Sequence, residues 1–244
     1  MRIVSCVPSL SELVFCLRPE SLAGRTRFCI LPADISKIPS IGGTKNLDIQ
    51  KIASLKPDLI LAVKEENEKE QIEALSAHFP VKVFDIKNEA DALKANAEIA
   101  VFLEAEKRFL QWRQRYEDEK AKYKPGPELS VVYLIWQNPF MSIGGDTFIH
   151  DSLIQGGFRN VYSSSLRYPE TTWEEMEKKN PDAILLSSEP FPFREKHLDA
   201  FRDRIPGKPV LLVDGTYFSW YGSRMLQAPA YFSEVRTRIL KTNP

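Results

Sequence analysis

Two distant stretches of this chain carry the same phrase: "KPDLILAVKEENEK" at 56–69 and "NPDAILLSSEPFPF" at 180–193. Each runs Pro-Asp, an unbroken apolar run, then a polar patch containing glutamate. A short apolar run without alternation is a strand buried on both faces. Such a strand belongs to a parallel sheet covered by helices. A helical pattern precedes each phrase; the proline ends it, and Asp58 or Asp182 opens the strand. The echo predicts one α/β arrangement used in each half of the chain.

The flanking segments agree. In the first third, "RIVSCV" reads as a buried strand ended by Pro8, and "SLSELVFCL" as a helix capped by Ser9 or Ser11. "SLAGRTRFC" and "PSIGG" read as short extended pieces, "NLDIQKIASL" and "KEQIEALSAHF" as helices, and "VKVFDI" as a strand. In the last half, "LSVVYLIW", "DAILLS" and "PVLLVDG" read as strands. "GGDTFIHDSLIQGG" is a helix capped by Asp146 or Thr147 and stopped by Gly156 or Gly157. "TTWEEMEKKN", capped by Thr171 or Thr172, and "REKHLDAF" are helices, and a final helix is expected from about 223 to 240.

Between the halves, 88–124 contains neither Gly nor Pro. Ile99, Phe102, Leu103, Phe109, Leu110 and Tyr116 recur near helical spacing. This is one long helix, or a short helix running into a long one; continuous over 98–123 it would span about 40 Å. "KPGP" at 124–127 stops it. The expected organisation is an N-terminal lobe over 1–88, a connecting helix over 89–124 and a C-terminal lobe over 125–244.

Composition narrows the function. The 244 residues carry no formal net charge, which removes the basic footprint that nucleic-acid binding requires. No apolar run approaches a membrane span. The start, "MRIVSCVPSLSEL", has no charged-then-apolar leader. Either the chain stays in the cytoplasm or a leader has been removed. Cys6, Cys16 and Cys29 are odd in number and lack metal spacing, so they read as small buried hydrophobes.

In parallel α/β sheets, ligands gather outside the carboxyl ends of the strands. This chain places there Pro8 and Ser9; Lys64, Glu65 and Glu66; Trp136 and Phe140; Glu189, Phe191 and Phe193; and Phe218, Trp220 and Tyr221. Several rings on short loops form an apolar surface that usually has a partner. Phe191 or Phe193 is expected beside a cleft, and the ligand to be broad, flat and partly apolar. Catalysis has little support. His78, His150 and His197 fall in no metal pattern, and no nucleophile elbow or phosphate loop occurs. Glu65, Glu189 or Asp214 as an acid or base is the enzymatic alternative, and a protein-binding aromatic patch is the structural one.

The ordered set "RIVSCVPSLSELVFCL", "GRTRFC", "IGGTKNLDIQKIASLKPDLILAVKEEN", "GGDTFIHDSLIQGGFRNVY" and "DGTYFSWYGSRMLQAPAYF" resembles the substrate-binding proteins of ABC importers of the helical-backbone type. These bind cobalamin, ferric siderophores or haem, and the cobalamin branch looks closest. The resemblance implies two Rossmann-like lobes joined by a long helix, with a metal chelate held between them by Phe28 and Tyr168 as well as the strand-end residues. It implies no intrinsic cofactor, a monomer, and a location outside the cytoplasmic membrane; a cytoplasmic corrinoid-handling protein is the alternative. Tyr168, Tyr217, His150 and Cys29 are candidates to coordinate the chelated metal. The resemblance also implies one glutamate per lobe that pairs with arginines of a membrane permease. Candidates are Glu65, Glu66, Glu68 and Glu70 in the first lobe, where Lys69 is the closest positional match, and Glu189 and Glu195 in the second.

Overall fold

The computed structural model describes residues 1–124 and 126–242. It divides into two units: Met1–Arg115 with Trp220–Arg224, and Tyr116–Ser219 with the chain from Met225 onward. Each is an α/β unit built on a four-stranded parallel sheet.

In the first unit the elements run β1 (Ile3–Ser5), α1 (Pro8–Leu17), β2 (Leu22–Gly24), β3 (Gly42–Gly43), β4 (Asn46–Leu47), α2 (Ile49–Ser54), β5 (Leu59–Val63), α3 (Lys69–Ser76), β6 (Val81–Phe84) and α4 (Glu89–Phe102). The sheet order is β2-β1-β5-β6, all parallel, with Ile3 opposite Leu59 and Ile60 opposite Val81. Every residue of β1 and β5 is buried, as their lack of alternation requires. β3 and β4 form a small antiparallel hairpin.

The elements that follow are α5 (Glu106–Lys122), β7 (Leu129–Leu134), β8 (Phe140–Met141), α6 (Phe148–Gln155), β9 (Phe158–Asn160), β10 (Glu170–Thr171), α7 (Trp173–Lys179), β11 (Ala183–Ser187), α8 (Glu195–Arg204), β12 (Val210–Val213), α9 (Thr216–Ser219) and α10 (Ala228–Thr242). The second unit's sheet order is β12-β11-β7-β9, again all parallel. Numbered by appearance, the strands of both sheets lie in the order second, first, third, fourth. The echo is the third strand of each.

The repeated phrase has the same conformation in both places. Lys56 and Asn180 adopt left-handed backbone, with φ 48° and 43°, which closes the preceding helix before its proline. Asp58 and Asp182 then clamp the amino end of the neighbouring strand. Asp58 Oδ2 accepts the N–H of Arg2 at 2.6 Å, and Asp182 Oδ2 accepts the N–H of Ser130 at 2.6 Å.

Other expectations need correction. Of the two alternatives for the Gly- and Pro-free run, the structure has the shorter helix leading into a longer one, broken rather than continuous over 98–123. Glu104 is left-handed at φ 50°, and the Arg18 guanidinium takes the freed Leu103 carbonyl at 2.7 Å. Lys56 and Glu104 show that a stop needs no glycine when distant groups satisfy the helix end. The stop expected at 124–127 includes Pro125, which lies outside the described residues; α5 ends at Lys122. The segment boundaries also differ, since the first unit extends to Arg115 and regains Trp220–Arg224. The final helix starts at Ala228, after a separate 3₁₀ turn over Ser223–Leu226. The caps resolve to Thr147, which accepts the N–H of His150, and Thr172, which forms a capping box with Glu175. Gly157, at φ 72°, is the left-handed residue after α6.

Candidate functional site

At the carboxyl ends of the first unit's strands, one buried side chain organises three segments. Asn67 accepts the Val63 N–H at 2.9 Å and donates to the carbonyls of Cys6 at 3.1 Å and Thr44 at 3.0 Å. It thereby ties the ends of β1 and β5 to the β3–β4 hairpin, with all its polar atoms engaged. Sequence places Asn67 at the end of the "DLILAV" strand but not in this tying role, because its partners lie up to 61 residues away.

Beside this knot the loop after β2 turns outward. Phe28 is 48% exposed, and Ile30 and Leu31, which the sequence reading passed over, are also exposed. The Arg27 guanidinium lies 5.1 Å from the centre of the Phe28 ring. Gly43 sits under both: a Cβ there would come within 3.2 Å of each side chain. Pro8 and Ser9 are buried in the first turn of α1, where they shape the floor of the loops rather than their surface. Lys64 is exposed and pairs with Asp85 at 3.2 Å.

Trp220 and Tyr221 are corrected from exposed loop aromatics to buried residues of the first unit. The Tyr221 hydroxyl donates to the Glu66 carboxylate, and Asn96 Nδ2 donates to the Tyr221 carbonyl at 3.0 Å. Burial, reinforced by the Glu66 charge, raises the Tyr221 phenol well above its ordinary pKa. Nearby, Glu12 receives the Ser223 hydroxyl at 2.6 Å and Arg224 Nη2 at 3.1 Å. Gly222 passes so close to α1 that a Cβ would lie 2.4 Å from the Ser9 carbonyl oxygen. These contacts engage Glu66 inside the unit.

Among the second unit's strand-end rings, Trp136 is the exposed one, at 40%. It meets half-buried Phe191 edge-on at 5.7 Å. Tyr168 is half-buried with the Arg167 guanidinium 5.7 Å from its ring centre, and Leu166 beside them is exposed. Phe140 faces inward, against Trp173 at 4.7 Å and Phe201 at 5.4 Å. Two expected surface rings are core residues. Phe193 is 4% exposed in the cluster under α8, because its N–H turns back toward the Ser187 carbonyl. Phe218 is fully buried against Tyr133, because the segment expected as a loop forms α9. Of the expected pair at the loop after β11, Phe191 alone keeps an exposed edge.

The remaining polar candidates separate by exposure. Glu70 and Glu195 are exposed in the first turns of α3 and α8. Glu65 is half-buried, and Glu68 pairs with Lys45 at 3.3 Å. Glu189 accepts the Ser219 hydroxyl at 2.5 Å, and Asp214 accepts the Thr216 N–H and hydroxyl. Among the candidate metal-coordinating groups, Cys29 is buried beside the Thr26 hydroxyl, with its thiol raised by burial. Cys6 is pushed up to about 12 by burial and the nearby Cys29, and both therefore stay neutral thiols. Cys16 is exposed, against expectation. Tyr217 stacks on Tyr231 at 4.3 Å. His150 is half-buried with Nδ1 3.4 Å from Asn160 Nδ2. No group of three or more His, Cys, Asp or Glu suited to a metal occurs among the described residues.

Comparison with known proteins adds an independent line. The profile of the family described as "Periplasmic binding protein" matches residues 3–211. The vitamin B12-binding protein of Pectobacterium atrosepticum is 25% identical over 240 residues, covering 93% of this chain and 85% of its own. Periplasmic heme-binding protein RhuT from Roseiflexus sp. RS-1 superimposes with a TM-score of 0.81 at 18% identity, covering 100% of this chain and 99% of that one. Periplasmic vitamin B12 binding protein BtuF of Vibrio cholerae gives 0.78 at 19% identity, with coverage of 99% and 97%. At those identities the two structures speak for the fold.

Proposed function

The chain belongs to the periplasmic binding protein family, and from that premise we propose that it captures a metal chelate, a cobalamin-like corrinoid foremost, and hands it to the permease of an ABC importer. The observation that carries this reading is the placement of the exposed rings. Phe28 and Trp136 both stand at strand carboxyl ends, on sheets of identical strand order, where α/β sheets hold their ligands. Phe28 with Ile30 and Leu31 in the first unit, and Trp136 with Leu166 and the exposed edges of Tyr168 and Phe191 in the second, each give their own unit an apolar surface suited to a flat ligand. The vitamin B12-binding relatives support the corrinoid.

Haem or a ferric siderophore is the second reading. Arg27 beside Phe28 and Arg167 beside Tyr168 put a cation next to an aromatic ring in each unit, which suits a chelate bearing anionic groups. Heme-binding structural neighbours fit it too. Equilibrium dialysis against cyanocobalamin, hemin and a ferric siderophore separates the two readings.

For docking, Glu70 and Glu195 are the pair that the geometry favours. Each is exposed in the first turn of the helix that follows an echo strand, and each is well placed beside a helix N-terminus while remaining open to a partner arginine. The family works in the periplasm, and no described helix is long and apolar enough to cross a membrane. Reconstituted permease that responds to the loaded wild-type protein tests the docking assignment.

A further inference from the structure

We propose that the second unit carries a separate ligand site, at the amino-terminal end of its sheet, for a small organic anion with an apolar body. The site is a solvent-open cavity of about 420 Å³ lined by the last turns of α5, the end of α6 and the first turns of α10. That volume falls in the range of small-molecule pockets. It lies at the opposite end of the strands from Trp136 and Phe191, since the groups that close it adjoin the starts of β7 and β9.

Arg236 carries the argument. It lines the cavity and is 7% exposed. Its guanidinium donates to the carbonyls of Gly157 and Pro127, both at 2.5 Å, and lies 5.6 Å from the Phe158 ring centre. Those partners fix its orientation but bring no negative charge. Among the described residues its polar partners are backbone carbonyls and not carboxylates, and burial alone lowers its pKa. A buried cation ordinarily has an anion beside it.

The rest of the lining agrees with an anion. Lys120 and Lys124 stand at the same cavity, and none of its lining residues is acidic. Phe232, Ile154 and Ala228 supply apolar wall. A carboxylate or sulfonate head would sit toward Arg236 and the lysines, with an acyl or aryl body against the apolar side. The chelate face holds none of these residues, so this site stands or falls independently of the proposed cargo.

The test uses the full chain with anilinonaphthalene sulfonate as a fluorescent probe, octanoate as competitor and octanol as its uncharged counterpart. The expected result is saturable one-to-one probe binding, displaced by octanoate and not by octanol at equal concentration. Ser233→Trp, which fills the cavity from α10, should weaken the probe at least about tenfold, and Arg236→Gln should do likewise. If circular dichroism shows that Arg236→Gln fails to fold, Lys124→Glu takes its place, with weaker probe binding expected. Absence of saturable binding, displacement by octanol as effective as by octanoate, or unchanged affinity in Ser233→Trp would overturn the proposal.

Discussion

The carboxylate of Asp182 accepts both the backbone N–H of Ser130, at 2.6 Å, and its hydroxyl, at 2.7 Å. The Asp182 N–H in turn reaches the Ser130 carbonyl at 2.7 Å. One side chain thus fixes the start of β11 against β7. Burial pushes this carboxyl upward, but the hydrogen bonds from Ser130 outweigh it and hold the pKa below the usual value. Asp182→Asn should destabilise the protein by about 1–3 kcal/mol at neutral pH. A depressed folded pKa contributes stability that is present above about pH 4 and lost as pH falls through the folded value. Urea unfolding should therefore show the gap between wild type and variant closing below about pH 4; a constant gap would contradict the role given to the charge.

Lys56 holds a left-handed conformation that costs an L-residue about 1–2 kcal/mol. Glycine removes that cost but adds freedom to the unfolded chain. Lys56→Gly is expected to raise stability by up to about 1 kcal/mol, and Asn180→Gly by less, because asparagine tolerates this region. Chemical denaturation of the two variants checks the ranking.

Tyr221→Phe removes the hydroxyl that donates to the Glu66 carboxylate. A loss of about 1–3 kcal/mol is expected. Because the folded phenol pKa is raised, its contribution is complete below about pH 10 and fades as pH climbs through the folded value. Thermal melts of wild type should fall more steeply above pH 10 than those of the variant.

Glu70→Arg and Glu195→Arg each reverse one exposed charge, worth about 0–1 kcal/mol alone. Chelate binding should be unchanged in both. Stimulation of reconstituted permease ATPase should need more protein, modestly for each single variant and by about tenfold or more for the double. An unaffected double variant would remove these glutamates from the docking account.

What could be read from the sequence follows from how local the cause is. The strands β1, β5, β7, β11 and β12 were legible because their apolar runs leave no face for water. β9 was not, because three residues of an edge strand, Phe158–Asn160, show no period. α9 has four residues, too few for helical periodicity, so Phe218 read as a loop aromatic although its burial is complete. Trp136 follows from strand-end placement and Phe28 from the family resemblance; strand-end reasoning fails wherever a loop folds back, as at Phe193. Asn67 and the return of Trp220–Arg224 to the first unit depend on partners far along the chain, beyond the reach of any local pattern.

The central claim is capture of a metal chelate at the strand-end loops, that of Trp136 in the second unit among them. Of the four tryptophans, Trp136 is the exposed one, so bound chelate should quench it directly. The decisive measurement is a tryptophan fluorescence titration with cyanocobalamin, hemin and a ferric siderophore, run in parallel on Trp136→Phe. The account predicts saturable one-to-one quenching by at least one of them, cyanocobalamin foremost, with most of the signal change lost in the variant. No saturable response to any of the three would contradict it.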